Sequence, residues 1–179
     1  MRKFFYTFAF ILCALMTLQA ETMVVATYNL RNANGSDSTN GNGWGQRYPY
    51  IAQIVQFHGF DIFGTQEGKY PQLQDLRQAM PGYDYIGVGR DDGKQAGEHS
   101  AIFYRTDKFE VLEHGDFWLS EITDRPNKGW DAVLPRICTW GEFRDKQTGF
   151  TFLFFNLHMD HVGVKACAES DKLISNKIK

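Results

Sequence analysis

Polar side chains of the kinds that bind metal ions and move protons stand near the ends of three apolar segments. Asn29 lies in VVATYNL, and Glu67 comes shortly after an apolar Ile62-Phe63 pair. The third segment, TFLFFNLHMDH, carries Asn156, His158, Asp160 and His161. Side chains at strand ends leave the packed core and project into clefts from a rigid support. A carboxylate suits a hard cation such as Mg²⁺, and an imidazole can pass a proton near neutral pH. The pattern predicts part of a metal-dependent site that cleaves phosphoesters.

Each of these residues has a simpler interpretation when taken alone. Glu67 could be a solvated residue at a strand end, and His158 could be structural. A zinc site could use His158, Asp160 and His161, but zinc needs three or four converging ligands, usually with a second segment supplying the rest. A glycosidase could use Glu67 and Glu98 as paired carboxylates, if they lie a few ångströms apart. The combination of residues therefore carries the prediction.

Hydrophobic periodicity predicts the elements that hold these side chains. Strands are predicted at residues 24–30, 61–65, 83–88, 100–104, 109–119, 136–144 and 150–157. Helices are predicted at residues 48–58, 71–80 and 164–179, with Pro49 acceptable only in a first turn. The polar, glycine-rich residues 32–45 predict a loop, and residues 146–149 predict a hairpin turn.

The N-terminus has the pattern of a secretory signal peptide. Arg2 and Lys3 precede an apolar run over residues 4–18 that ends at Gln19-Ala20. The run is shorter than the ~20 apolar residues that span a bilayer, which disfavours a transmembrane helix. We therefore expect residues 1–20 to be a signal peptide, residues 21–179 to belong to one domain, and the protein to be exported to the periplasm or the extracellular space.

Charge and cysteine content restrict the classes of function and the covalent structure. Without residues 1–20, which contain two basic and no acidic residues, the formal net charge changes from −2 to −4. This balance does not support sequence-independent nucleic-acid binding by charge alone. Cys138 and Cys167 stand in apolar or helical contexts, so they are predicted to be small buried residues, although one disulfide is compatible with export.

Four motifs occur in an order and spacing that resemble a known superfamily. They are TYNLR at residues 27–31, QE at 66–67, GEHSAIFYR at 97–105 and NLHMDH at 156–161. Together they are similar to the endonuclease/exonuclease/phosphatase superfamily, which includes deoxyribonuclease I-like enzymes. The resemblance extends over residues 23–179 and implies an α/β fold in which a two-sheet β-sandwich is flanked by helices.

The resemblance also implies roles for individual residues. It implies that Asn29 and Glu67 hold Mg²⁺, with Mn²⁺ or Ca²⁺ as alternatives, and that Glu98 orients a catalytic His158. Asn156, on the same strand face as His158, and Asp160, in the following loop, complete the predicted catalytic set. The expected contacts to the phosphate or the rest of the substrate are Lys69, Arg136, Trp130 and Asp131.

Two motifs of the superfamily pattern do not occur in this sequence. The pattern continues with Gly-Asp-x-Asn and a later Ser-Asp-His, and neither string follows His161. We therefore expect the chain to be the N-terminal part of one such domain, with an incomplete second half and impaired activity. The expected substrate is a nucleic acid, an inositol phosphate, a phospholipid head group or a sugar phosphate, and no stable protein partner is predicted.

A different class of function is also compatible with the sequence. A secreted binding module for glycans or phosphate compounds could use Trp44, Tyr48, Trp130 and the Asn/Gly-rich loop without catalysis. Such a module would bind its ligand without a metal ion, which separates it from a phosphoesterase.

Overall fold

Two β-sheets pack face to face, and helices cover their outer faces. The computed structural model describes residues 22–178, and the predicted signal peptide, residues 1–20, lies outside them. The strands are β1 Val25–Asn29, β2 Ile62–Gln66, β3 Gly68–Lys69, β4 Tyr83–Ile86, β5 Glu98–His99, β6 Ile102–Arg105, β7 Phe109–Trp118, β8 Ile137–Asp145 and β9 Thr151–Leu157. The helices are α1 Gly35–Thr39, α2 Trp44–His58, α3 Tyr70–Ala79 and α4 Val164–Ile178.

The first sheet is mixed and has the strand order β1-β2-β6-β4. Strand β1 runs parallel to β2, and the other neighbours are antiparallel. Successive side chains point to opposite faces of a strand. Ile62 therefore faces the second sheet, where it packs in one cluster with Phe143, whereas Phe63 packs in another cluster under helices α2 and α3. Both faces of β2 are buried, which makes this sheet the centre of the fold.

The second sheet is antiparallel, with the order β7-β8-β9. The predicted hairpin turn between β8 and β9 is confirmed. Asp145 accepts hydrogen bonds from the amides of Gln147 and Thr148, and Gly149 takes a positive φ of 75°. Helix α4 covers the outer face of this sheet, where Leu173 packs in a cluster with Phe117. The predicted α/β sandwich with flanking helices is therefore confirmed.

Two local predictions were wrong. The polar loop contains a short helix, α1, whose first amides are capped when Asn34 Oδ1 accepts from the Asp37 amide at 2.9 Å. Helix α2 begins at Trp44 rather than at residue 48, so Pro49 lies beyond the first turn. Its ring removes the bond to the carbonyl of Gly45, which is exposed and open to water.

Cys138 and Cys167 are both free thiols in this structure, so they do not form the disulfide that export would allow. Burial raises the pKa of the Cys138 thiol to about 12, as expected for a small core residue. Among the described residues, no helix is both long enough and apolar enough to cross a membrane.

Candidate active site

Glu67 holds its carboxylate in a fixed orientation directly after strand β2. Its backbone has a φ of 63°, a left-handed conformation that is uncommon for a residue other than glycine and often marks functional sites. Asn29 Nδ2 donates to Oε1 at 2.9 Å, and the amide of Asn32 donates to Oε2 at 3.2 Å. Burial raises the pKa of Glu67, but these hydrogen bonds and the nearby His158 outweigh burial, and the net pKa lies below its ordinary value. Glu67 is therefore an ionised, oriented carboxylate at neutral pH.

Asn29 is oriented as closely as Glu67. Its Oδ1 accepts from the backbone amide of Arg31 at 2.8 Å, while its Nδ2 faces Glu67. Arg31 itself has a φ of 53°, so the chain turns sharply where strand β1 ends. The structure thus brings together the two residues predicted to hold a metal ion.

These two residues suit one kind of cation. No group of three or more His, Cys, Asp or Glu side chains within residues 22–178 could enclose a metal ion, which disfavours the predicted zinc alternative. Magnesium differs, because it keeps several waters and needs only one or two carboxylates, with substrate phosphate completing its shell. The single ionised carboxylate of Glu67 fits such a cation, while Asn29 turns its Nδ2 toward Glu67 and its Oδ1 toward the Arg31 amide.

A narrow cleft beside Glu67 collects most of the remaining polar groups. It is lined by Glu67, Arg90, Glu98, His99, Ser100, Arg136, Ile137 and His158. The cleft lies where Glu67, the loop that carries Arg90 and strand β5, which pairs with β3 in a separate two-stranded sheet, meet the start of β8 and the end of β9. Four of the predicted site residues therefore share one cavity, namely Glu67, Glu98, Arg136 and His158.

Glu98 lies in the cleft but has different partners from those predicted. Its Oε2 lies 2.7 Å from Arg90 Nη1, and its Oε1 accepts from Asn32 Nδ2 at 3.1 Å. His158 Nδ1 is buried and has no hydrogen-bond partner among the described residues. Arg90 and Asn32 contact both oxygens of the Glu98 carboxylate in this structure, and the role of Glu98 in orienting His158 stays a prediction.

The environment of His158 favours its neutral form. Burial lowers its pKa, the positive charge of Arg136 lowers it further, and Glu67 and Glu98 offset these effects only in part. A neutral imidazole can accept a proton at one nitrogen and donate at the other. His158 is therefore suited to proton transfer at neutral pH.

Asn156 lies in the core rather than in the cleft. Its Nδ2 donates to the carbonyls of Thr65 and Ala101 at 2.8 and 2.9 Å, and its Oδ1 accepts from Gln66 at 2.9 Å. A Cβ atom at Gly64 would lie 2.3 Å from Asn156 Oδ1, so the side chain packs directly against the backbone of β2. Asn156 joins the two sheets, and its catalytic role stays a prediction, since its polar groups are bonded to Gln66, Thr65 and Ala101 and not directed into the cleft.

Asp160 supports Arg136 and does not reach the cleft. Its carboxylate is 1% exposed, accepts from the Val133 amide at 3.1 Å and lies 3.8 Å from Arg136 Nε. Burial raises the pKa of Asp160, but the backbone hydrogen bonds and Arg136 bring it below the ordinary value. His161 Nδ1 lies 3.0 Å from Arg136 Nη2. Asp160 therefore lies beside Arg136 as its counter-ion, and its catalytic role stays a prediction.

The other predicted substrate contacts, Lys69, Asp131 and Trp130, do not line the cleft. Lys69 is exposed, and its Nζ reaches the Ala33 carbonyl at 3.3 Å. Asp131 accepts from the amides of Lys165 and Ala166 at 3.2 and 2.7 Å, which caps helix α4. Trp130 is half-buried in the preceding turn, with a φ of 48°. Asp131 is therefore a capping residue in this structure, and its contact to the substrate stays a prediction.

The aromatic residues of the binding-module alternative are also engaged. Trp44 Nε1 donates to Asp75 at 2.8 Å, and its ring lies 5.9 Å from that of Tyr48. Both rings are half-buried and pack against the core under helix α2. They stabilise the start of this helix and do not form an open stacking surface.

Sequence reasoning missed three polar residues of the site. Arg90 stands in a segment that reads as a loop, and only its burial in the folded chain distinguishes it from a surface cation. Asn32 begins the Asn/Gly-rich loop, and nothing in the sequence indicates that it contacts both Glu67 and Glu98. His99 lies inside the GEHSAIFYR motif next to Glu98, so the motif itself could have identified it.

Comparisons with known proteins agree with this architecture. No protein-family model matches the chain. A mannosyl-6-phosphatase of Bacteroides thetaiotaomicron is 71% identical over 88% of this chain, with a TM-score of 0.87. An endonuclease/exonuclease/phosphatase of Bacteroides vulgatus is 48% identical over 89% of the chain, with a TM-score of 0.85. An uncharacterised protein of Acanthamoeba polyphaga mimivirus is 30% identical over a match of 95 residues, and this match covers 47% of the chain.

The chain spans only part of each of these proteins, namely 59% of the mannosyl-6-phosphatase, 61% of the Bacteroides vulgatus protein and 14% of the viral protein. Within that part, sequence and fold agree, and the four motifs lie on the elements that form the cleft. The chain belongs to the endonuclease/exonuclease/phosphatase superfamily.

Proposed function

We propose that the cleft is part of the active site of a phosphoester hydrolase that depends on a divalent cation. Mg²⁺ is the first choice, and Mn²⁺ or Ca²⁺ are alternatives. The observation that carries the proposal is the orientation of Glu67, whose two oxygens are held by Asn29 and Asn32 in a strained turn beside His158. Residues held in such a strained backbone conformation are common where a ligand is bound.

Different residues of the cleft have different roles in the proposed phosphoester hydrolysis. Glu67, with Asn29 beside it, would hold the cation, which when bound neutralises developing charge on the phosphoryl group. Arg136 provides a guanidinium for the phosphate oxygens. His158, neutral at pH 7, holds or passes a proton at its unpartnered Nδ1.

The proposed substrate is a phosphomonoester on a sugar of the mannose type. The 71% identity to a mannosyl-6-phosphatase supports this choice within the superfamily. The net charge of −4 without residues 1–20 fits a small phosphorylated sugar better than a nucleic-acid polyanion. The signal-peptide pattern supports action on phosphorylated sugars outside the cytoplasm, in the periplasm or the extracellular space.

Binding of a phosphate compound and its hydrolysis are separate properties of such a site, so they are measured separately.

The experiment is a calorimetric titration of the purified chain with mannose 6-phosphate, with Mg²⁺ and again with EDTA. We expect mannose 6-phosphate to bind with a larger heat and a higher affinity with Mg²⁺ than with EDTA. We expect no binding of unphosphorylated mannose. Hydrolysis is then compared by phosphate release from mannose 6-phosphate and by 4-nitrophenol release from bis(4-nitrophenyl) phosphate, with faster hydrolysis expected for the monoester. Binding of unphosphorylated oligosaccharides that EDTA leaves unchanged would contradict the proposal and favour the secreted binding module.

A further inference from the structure

Arg90 is a buried cation that has no role in the hydrolysis proposed for Glu67, Arg136 and His158. It lies between strands β4 and β5, where its amide donates to the Glu98 carbonyl at 3.1 Å. Its own carbonyl accepts from Trp118 Nε1 at 2.8 Å, which fixes this loop against the second sheet. A Cβ atom at Gly89 would lie 2.1 Å from the Ala96 carbonyl oxygen, so the loop is also closely packed on its other side. The Arg90 side chain is therefore held in place at 10% exposure.

The guanidinium groups of Arg90 and Arg136 keep unused hydrogen-bond donors. Arg90 Nη1 binds Glu98 at 2.7 Å, and its buried Nε lies 3.8 Å from Asp91 Oδ1 but has no hydrogen-bond partner among the described residues. Arg136 Nη2 contacts His161, and its Nε is also buried without such a partner. An arginine has five N–H donors, and leaving a buried one unpaired costs free energy. Arg90 and Arg136 line the same cleft, and the buried Nε–H group of each lacks a hydrogen-bond acceptor.

The carboxylates near the cleft are already engaged elsewhere. Glu67 accepts from Asn29 and Asn32, and Glu98 shares its oxygens between Arg90 and Asn32. Asp160 is bonded to a backbone amide and lies 3.8 Å from the nearest nitrogen of its arginine. The nearest carboxylates thus leave both Nε groups without an acceptor at hydrogen-bond distance, since Asp91 and Asp160 each lie 3.8 Å away, and a ligand with several anionic oxygens can supply one.

The two guanidiniums also act on each other and on the cleft. Burial lowers the pKa of Arg136, and the charge of Arg90 lowers it further, so the two cations lie close enough to repel. Bringing like charges together in a partly buried cleft is unfavourable without an anion between them. A phosphoryl group offers three oxygens, and planar guanidiniums bind such oxygens in pairs.

We propose that Arg90 is a phosphate-binding residue which, together with Arg136, forms an anion subsite for the phosphoryl group in the cleft. This inference rests on the proposed function for the identity of the anion. It adds that phosphate binds to these arginines without the metal ion. It also adds that the planar set of N–H donors of the Arg90 guanidinium is required, and not its charge alone.

The test is a calorimetric titration of the full chain with inorganic phosphate in EDTA, comparing wild type with three variants. Arg90→Gln removes the charge, whereas Arg90→Lys keeps the charge but removes the planar set of N–H donors. Arg144→Gln is the control, because Arg144 is an exposed arginine that pairs with Glu110 on the second sheet. We expect phosphate binding to weaken ~10-fold or more in Arg90→Gln, since charge-assisted hydrogen bonds are lost. Arg90→Lys should fall between this variant and wild type, and Arg144→Gln should match wild type.

A second measurement does not depend on any variant folding. In ¹⁵N-labelled wild type, the Arg90 Nε–H resonance, assigned from its backbone, should shift on addition of phosphate in EDTA. The proposal is overturned if this resonance does not move, or if folded Arg90→Gln binds phosphate as wild type does. Intact phosphate binding in EDTA, together with mannose 6-phosphate binding that Mg²⁺ does not change, would instead contradict the proposed function and leave the anion subsite standing.

Discussion

The carboxylate of Glu98 is bound to the guanidinium of Arg90 at 2.7 Å and receives a second hydrogen bond from Asn32 at 3.1 Å. The same Asn32 donates its backbone amide to Glu67. One residue of the loop after strand β1 thus links the carboxylate proposed to hold the cation with the carboxylate that binds Arg90. The separation of these two acidic groups is set by that loop and not by the strands alone, and His158 lies beside them without a direct bond to either.

Replacing Glu67 should abolish the effect of metal ions while leaving the fold intact. In Glu67→Gln the side chain keeps its shape but loses the charge that attracts the cation. We expect metal-linked binding of mannose 6-phosphate to weaken by about 100-fold or more, because a cation interaction of several kcal/mol is removed. Calorimetric titration with and without Mg²⁺ measures the change. Glu110→Gln, at an exposed site on β7, is the matched control, and equal losses in both variants would argue against a specific role for Glu67.

Replacing Asn156 should lower stability rather than catalysis. Asn156→Ala leaves the buried carbonyls of Thr65 and Ala101 without their shared donor and opens a gap beside Gly64. We expect the free energy of unfolding to fall by about 2–4 kcal/mol, measured by urea denaturation. Asn176→Ala, at an exposed position of helix α4, should change it by less than about 0.5 kcal/mol. Lost phosphoester hydrolysis with unchanged stability in Asn156→Ala would restore the catalytic interpretation.

Asp131 should act as a helix cap. Asp131→Ala removes the acceptor for the first amides of helix α4 and is expected to cost about 1 kcal/mol in the free energy of unfolding. Asp131→Asn retains an acceptor oxygen and should lose only a few tenths of that value. Binding of mannose 6-phosphate should be equal in both variants. A selective loss of ligand affinity in Asp131→Asn would support the substrate contact predicted from the sequence.

Asp116 should make stability depend on pH. Burial raises its pKa, which the hydrogen bond from Thr139 Oγ1 offsets only in part. A carboxyl with a raised pKa in the folded state binds its proton more tightly there than in the unfolded chain. The folded state therefore loses stability as pH rises from the ordinary pKa of about 4 through the raised value, and the loss is complete above it.

Asp116→Asn removes this titration while keeping an acceptor for Thr139. Its free energy of unfolding relative to wild type should therefore increase as pH rises through that window and then stay constant. Urea denaturation at a series of pH values from 4 to 8 measures the difference. Glu113→Gln, an exposed residue of the same strand, should show no such rise, and a pH-independent difference for Asp116→Asn would exclude the predicted coupling.

Much of the secondary structure could be predicted from local patterns. Strand β9 and helix α3 were predicted within one residue of their observed limits, because apolar periodicity, proline and glycine mark them directly. Helix α1 was missed because it is polar throughout and is held by the Asn34 cap and the Arg31–Asp37 ion pair. Such a helix leaves no hydrophobic pattern to detect.

The sequence by itself determined the superfamily, the sandwich fold and the strand ends that supply Asn29, Glu67 and His158, since motif order and apolar spacing are properties of the chain. Only the tertiary structure decided what the neighbouring residues do. Asn156 and Asp160 are as polar as His158 in the sequence, yet both turn to backbone groups from distant segments. Arg90 reaches Glu98 from a loop that reads as exposed. Hydrogen bonds between remote segments form only when the sheets pack, so the partner of each polar side chain is fixed by packing and not by spacing.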